Sequence, residues 1–207
     1  MGTKGLVNLN NHLLCAVDVE TTGLKPGWHE VIQIGILPLD SELLPREDLP
    51  PFDFRIRPSH PDRVDPNAMR VHKIHLQEIM DDGFEQEVVV DRFYHWFKKC
   101  VIGEDRKIVP LCHNSMFDLM HLVSFFGWED FYDHFHGHVR DLQAYALGLN
   151  DRSEFQAERT PFAKLNLRWI ANHLDVEYDP DAAHDALYDC LTTARCYKKI
   201  LYKTVGL

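Results

Sequence analysis

One stretch constrains this chain more than any other: Leu13-Leu14-Cys15-Ala16-Val17-Asp18-Val19-Glu20-Thr21-Thr22-Gly23. It opens on five apolar residues with no polar alternation, the pattern of a strand buried on both faces. Two carboxylates then appear at its end, at positions i and i+2. Side chains alternate along a strand, so Asp18 and Glu20 must point to the same side. Gly23 lets the chain turn away directly afterwards. A buried strand that carries two acids to one spot needs positive charge there, and a metal ion is the natural candidate.

At 207 residues the chain is long enough for one substantial core. We expect a loosely held tail over residues 1–12, polar and Asn-rich, and a single domain over 13–207. No apolar run reaches membrane-spanning length, and the polar start is not a secretory signal. Gly2 suggests myristoylation, but that pattern wants Ser or Thr at position 6, where this chain has Leu6. The expectation is a cytoplasmic protein with no membrane partner. Five scattered cysteines without a Cys-x-x-Cys pair read as reduced core thiols. The thirteen histidines form no zinc-site spacing. A formal charge of −10 argues against general adhesion to nucleic acid, yet four acids holding two divalent ions would have their charge cancelled.

Taken in order, Val31–Leu37 reads as a second buried strand and Phe52–Arg57, which alternates cleanly, as an edge strand; together with the first they suggest an antiparallel meander. Short helical pieces are expected at Pro66–Val71 and Leu76–Met80. Val89, Phe93, Trp96, Phe97 and Cys100 fall on one helical face and read as core. Lys107–Cys112 is a further strand, followed by a helix that Ser115 caps and Gly127 stops. A short helix over Trp128–Phe135 and a short strand over His138–Arg140 come next. Asp141–Leu149 reads as helical and Asn150–Pro161 as the most mobile loop. Helices over Lys164–Leu174 and Ala183–Tyr202 close the chain. This order gives an α/β fold, a mixed sheet covered on both faces.

Two further segments carry acids. Asp118 lies one turn into a mostly apolar helix, where an unpartnered carboxylate is costly. It follows a strand, and the strand ends that launch helices in mixed α/β sheets are where sites form. His184 and Asp189 lie five apart; on one helix they would point about 140° away from each other. They share a site only if His184 stands in the loop before the helix, which Asp179-Pro180-Asp181 makes irregular. Two carboxylates ~4 Å apart repel by roughly 4 kcal/mol at an effective dielectric near 20. Four in one pocket would overwhelm the ~5–15 kcal/mol stability of a domain unless protonated or metal-bound. Hard oxygen ligands suit Mg²⁺ or Mn²⁺.

Three motifs then resemble those of the DEDDh family of 3′→5′ exonucleases: Asp18-Val19-Glu20-Thr21-Thr22-Gly23-Leu24, His113-Asn114-Ser115-Met116-Phe117-Asp118 and His184-Asp185-Ala186-Leu187-Tyr188-Asp189. The family includes proofreading exonucleases, ribonuclease T and oligoribonucleases, and the match runs in order from Leu13 to about Tyr197. His-x4-Asp selects the histidine branch; Tyr188 directly precedes Asp189 and cannot take the part of Tyr-x3-Asp. The resemblance implies a ribonuclease H-like fold with a central five-stranded mixed sheet. It implies that Asp18, Glu20 and Asp189 hold one Mg²⁺ or Mn²⁺, that Asp18 bridges to a second ion served by Asp118, and that His184 is the general base. It makes Thr21, Thr22, Gly23 and Leu24 the floor for the terminal nucleotide, with His113, Asn114 and Phe117 the opposite wall. Trp28 and Phe162 are candidate stacking platforms, and Lys164 and Arg168 candidate phosphate contacts, each set against plain packing or a solvated face. The expected partner is the 3′ end of single-stranded DNA or RNA, handled by a homodimer or a polymerase-associated subunit. The alternative from another class is an accessory nucleic-acid-binding subunit of a polymerase or repair complex.

Overall fold

The apolar run forms β1 (Leu13–Thr21), and its alternation decides the layering. The computed structural model describes residues 5, 6 and 9–204. Antiparallel to β1 runs β2 (Val31–Pro38), and antiparallel to that runs β3 (Phe52–Arg55), so the meander expected from the sequence is present. On the other side of β1 lie β4 (Ile108–Cys112) and β5 (Arg140–Asp141), both parallel. The sheet has five strands in the order β3-β2-β1-β4-β5. It is mixed and covered by helices on both faces, as the sequence reading held.

Odd-numbered residues of β1 (Leu13, Cys15, Val17, Val19) enter an aromatic core with Phe52, Phe93, Phe126 and Phe135. That side is closed by α3 (Gln86–Cys100), α4 (Ser115–Phe126) and α5 (Trp128–His134). Before them come α1 (Pro66–His72) and α2 (Leu76–Asp82). Even-numbered Leu14 and Ala16 enter a second core under α6 (Leu142–Phe155), α7 (Leu167–His173) and α8 (Ala186–Thr204). Val89, Phe93, Trp96 and Cys100 are buried along one side of α3, as their spacing requires. All five cysteines are buried and free of disulfides.

Several boundaries differ from the sequence reading, each for a local reason. Asn114, not Ser115, is the N-cap of α4, because the Ser115 hydroxyl donates instead to Asp141 at 2.7 Å. The expected loop at Asn150–Pro161 is helical as far as Phe155. Asn150 then clamps the returning chain, its amide donating to the Phe162 carbonyl and its oxygen accepting from the Phe162 N–H. Lys164–Asn166 precede α7 rather than begin it, since Asn166 caps that helix by accepting from the Trp169 N–H. Of the expected tail, residues 1–4, 7 and 8 lie outside the described residues. The described part is tethered: the Leu6 N–H donates to Ser41, and Leu6 and Leu9 pack on the second core. Among the described residues no helix is long and apolar enough to cross a membrane.

Candidate active site

The even face of β1 that buries Leu14 and Ala16 continues to Asp18 and Glu20, so the acids end up beneath the start of α8. Gly35 makes that approach possible. It pairs across from Asp18 in the sheet, and a Cβ there would lie 2.7 Å from the Ala186 carbonyl carbon. Next to it Gln33, buried within an apolar strand, donates to both Asp53 and Asp185 at 3.0 Å. These contacts dock the first turn of α8 on β2. Asp189 thereby projects toward the end of β1, 7% exposed.

His184 stands before the helix, in the left-handed region at φ 66°. Its backbone N–H donates to Asp189 Oδ2 at 3.3 Å. The loop position that the five-residue spacing demanded is therefore the one observed. A non-glycine residue held in this region carries local strain, which concentrates at functional sites.

Asp118 arrives from the other edge of β1. The pairing with β4 covers only Leu13 to Ala16, which leaves the backbone beyond it without a partner on that side. α4 begins there, and Asp118 Oδ1 accepts from the Val19 N–H at 3.2 Å. Asp141 fixes the start of α4 by accepting from both the N–H and the hydroxyl of Ser115 at 2.7 Å.

The electrostatics follow from this convergence. Burial first, then the carboxylates of Asp118, Glu20, Asp189 and Asp185, push the Asp18 carboxyl well above its usual range, although its side chain keeps some exposure. Glu20 rises likewise, by burial and then by Asp189, Asp118 and Asp185. Burial raises Asp118 to about 8, against the opposing pull of the Val19 N–H. Asp189 is raised to about 6, again mostly by burial. Glu20, His184 and Asp189 each offer a ligand atom, and these atoms all lie within 4.8 Å of one another. Asp189 Oδ1 is buried with no hydrogen-bond partner. Crowded acids with an orphaned carboxylate oxygen fit a hard divalent cation, which would satisfy the oxygen and cancel the repulsion.

The residues named for substrate divide into two kinds. Leu24 is 74% exposed at the lip of the site, Asn114 is exposed, and Phe117 is half-buried against the His121 ring. Thr21 and Thr22 are buried, with hydroxyls already engaged: Thr21 donates to the Gly23 carbonyl and Thr22 accepts from the Glu30 N–H. Gly23 lies against the His29 ring, where a Cβ would be 2.5 Å from it. His113 turns its Nε2 to the Leu165 carbonyl at 2.9 Å. Phe162 is core, packed on His173, whereas Trp28 is half-exposed. Lys164 and Arg168 are exposed, with Lys164 lying over Trp169.

Sequence reasoning passed over Gln33, Asp141 and Asp185, which hold the acid-bearing segments in place, and His72. His72 is buried beside Thr21 and His184, and burial pushes its pKa down to about 4. Its Nδ1 accepts from the Ile74 N–H, while Nε2 lies by the Thr21 backbone without completing a hydrogen bond. A glutamine inside the run Val31-Ile32-Gln33-Ile34 was the one available signal for any of them.

Comparison with known proteins agrees with this geometry. Residues 15–197 match the family model RNase_T, described as exonuclease. Ribonuclease T of Buchnera aphidicola subsp. Baizongia pistaciae is 25% identical over 197 residues, covering 92% of this chain and 85% of that protein. The 3′-5′ DNA exonuclease Cap18 of Escherichia coli is 26% identical over 182 residues, covering 86% and 88%. Among solved structures, E. coli ExoI in complex with ssDNA superposes with a TM-score of 0.73 at 18% identity and 94% coverage of this chain. The chain spans 41% of that longer protein and 64% of another match, the cell-death related nuclease CRN-4. It belongs to the exonuclease family, as a DEDDh-type 3′→5′ exonuclease acting on nucleic acid.

Proposed function

We propose that this protein releases nucleoside monophosphates one at a time from the 3′ end of single-stranded DNA or RNA, with His184 as general base and two Mg²⁺ or Mn²⁺ ions. The observation that carries the reading is the meeting of Glu20, His184 and Asp189 within 4.8 Å, with one buried carboxylate oxygen unpartnered. Asp18, Glu20, Asp118 and Asp189 are the groups that would hold the ions. When bound, the ions supply Lewis-acid stabilisation of charge on the attacked phosphate.

The other steps belong to the chain itself. Burial, and after it the nearby Lys73, lower the pKa of His184, so the ring is neutral at pH 7. A neutral ring nitrogen can take the proton of the attacking water as the P–O bond breaks on the far side. Leu24 and Phe117 offer apolar surface to the terminal nucleotide, and the Asn114 side lies open to it. The two relatives named above are a ribonuclease and a DNA exonuclease, which supports leaving both sugars in the substrate class. The same reading treats 13–207 as a single exonuclease domain and places it in the cytoplasm, where five buried thiols stay reduced.

A 5′-labelled oligonucleotide, as DNA and as RNA, incubated with Mg²⁺, Mn²⁺ or EDTA, tests the reading. The expected result is a ladder shortening by single nucleotides from a free 3′ hydroxyl, abolished by EDTA. Cleavage of a circular substrate would instead mean an endonuclease. His184→Ala should lower turnover about 10²–10⁴-fold while leaving Mg²⁺ binding by calorimetry in place. Loss of metal binding in that variant would make His184 a ligand rather than the base.

A further inference from the structure

The loop that floors the acidic site has a second side, and there the chemistry reverses. A cavity of about 190 Å³ opens behind it, lined by Trp28, Arg57, His60, Arg63 and His121 among others. The Arg63 guanidinium lies over the Trp28 ring, 4.3 Å from its centre, and no carboxylate among the described residues pairs with it. A guanidinium held over an aromatic ring loses less freedom when it binds an anion. Arg57 pairs with Glu85 through Nη1, but its Nε is buried without a partner. His121, 1% exposed, faces the Phe117 carbonyl with Nδ1, while its Nε2 is buried and unpartnered. That Nε2 lies by the Gly23 carbonyl, which accepts from the Thr21 hydroxyl, without completing a hydrogen bond. Two of the five unmet buried polar atoms in the described structure therefore line one cavity. The acid in its wall, Glu30, is engaged by the backbone N–H groups of Ser59 and His60 at 2.9 and 2.8 Å.

The cavity is continuous with the active site through hydrogen bonds. The Thr22 N–H donates to the Glu30 carbonyl, its hydroxyl accepts from the Glu30 N–H and its carbonyl accepts from the Asp65 N–H, and the His29 ring packs on Gly23. Thr21–Leu24, read as the floor for the last nucleotide, and Gly27–Glu30, which line the cavity, belong to one stretch running from the end of β1 to β2. From the Arg63–Trp28 stack, the unmet Arg57 and His121 atoms and this continuity, we infer that the cavity binds a backbone phosphate of the nucleic-acid substrate away from the scissile bond. The inference rests on the exonuclease reading above. It also explains how a chain of formal charge −10 can hold a polyanion: the attraction is local.

The test compares Arg63→Ala and Trp28→Ala with the unmodified chain on oligothymidylates of two and ten nucleotides. Expected in both variants is about a tenfold fall in kcat/KM for the ten-mer relative to the dimer. The dependence of ten-mer affinity on salt, read by fluorescence anisotropy in EDTA, should become shallower by ~0.7 in log–log slope for one lost phosphate contact. Thermal melts confirm folding, and Arg63→Lys, which keeps the charge but not the planar guanidinium, should recover part of the loss. The cleaved strand is the phosphate's source if the fall appears on single strands. The complementary strand is the source if it appears only on a duplex end. An unchanged ratio and slope in both variants would overturn the inference, as would equal losses on dimer and ten-mer, which would place the effect in the catalytic loop. If the unmodified chain cut nothing, the exonuclease reading would fail, while the anisotropy slopes would still decide whether the cavity holds a phosphate.

Discussion

The two halves of β1 show what the fold does with one strand face. Leu14 and Ala16 are sealed under α8 in an apolar core. Asp18 and Glu20 continue the same face under the same helix, yet there the chain gathers five carboxyls, with Asp118, Asp185 and Asp189, and leaves Asp189 Oδ1 without a partner. The first half stabilises the protein by removing apolar surface from water. The second does the opposite in the metal-free state, because buried like charges favour protonation or unfolding. A strand of nine residues thus carries both the anchor of the fold and its most costly feature. The arrangement makes sense only if the cost is offset by a cation when the protein works.

Neutralising one acid gives the largest expected effect. Asp18→Asn keeps the shape and removes a charge; turnover should fall by about 10³-fold or more, since such ligands supply several kcal/mol of transition-state stabilisation. In EDTA at pH 8 the same variant should melt higher than the unmodified chain, because a repulsive partner has gone. If it melted lower, the contrast between the two halves would be wrong. Leu14→Ala is the counterpart. A buried leucine truncated to alanine costs about 2–5 kcal/mol in chemical denaturation, and turnover per folded molecule should hardly change.

Gly35→Ala probes the join between the halves. The added Cβ would meet the Ala186 carbonyl carbon and oxygen and the Leu187 nitrogen at 2.7 to 2.9 Å, all of them backbone atoms. They cannot rotate away, so the first turn of α8 must shift. Overpacking of this kind costs about 1–3 kcal/mol. Because Asp189 rides on that turn and His184 stands just before it, Mg²⁺ affinity measured by calorimetry should weaken along with stability. A purely structural glycine would lose stability and keep metal affinity.

How much of this was legible in the sequence follows from what each residue depends on. Asp18 and Glu20 could be placed because strand alternation is local. His184 could be placed off the helix because a five-residue spacing does not close on a 3.6-residue turn. Asp118 stood out because its neighbours are apolar. Gln33, Asp141 and Asp185 could not be found in this way, since each acts on a segment brought to it by tertiary packing: Gln33 reaches Asp185, 152 positions away. The swap of cap between Asn114 and Ser115 has the same origin, in the distant Asp141. The end of α6 was misjudged because a polar run, Asp151-Arg152-Ser153-Glu154, serves a surface helix as well as a loop.

The smallest expected effect is also the most direct reading of the acidic half. Asp118 is raised to about 8 and Asp189 to about 6, from ordinary values near 3.8, chiefly by burial. A carboxyl whose pKa is higher in the folded than in the unfolded state binds more protons when folded. Its contribution to stability is therefore complete below the unfolded value and is lost as pH rises through the folded one. In EDTA the unfolding free energy, read by chemical denaturation, should fall as pH is raised from about 5 to 8, with a slope of at most ~1.4 kcal/mol per pH unit for each proton involved. Saturating Mg²⁺ should reverse the trend, because the cation binds the ionised carboxylates and competes with their protons. Asp118→Asn should make the EDTA curve shallower by one proton's worth over the whole interval from the ordinary carboxylate value up to about 8, where the folded carboxyl titrates. Parallel curves with and without Mg²⁺ would mean that the carboxyls meet no cation, and the buried acids would then lack the compensation that the contrast within β1 requires.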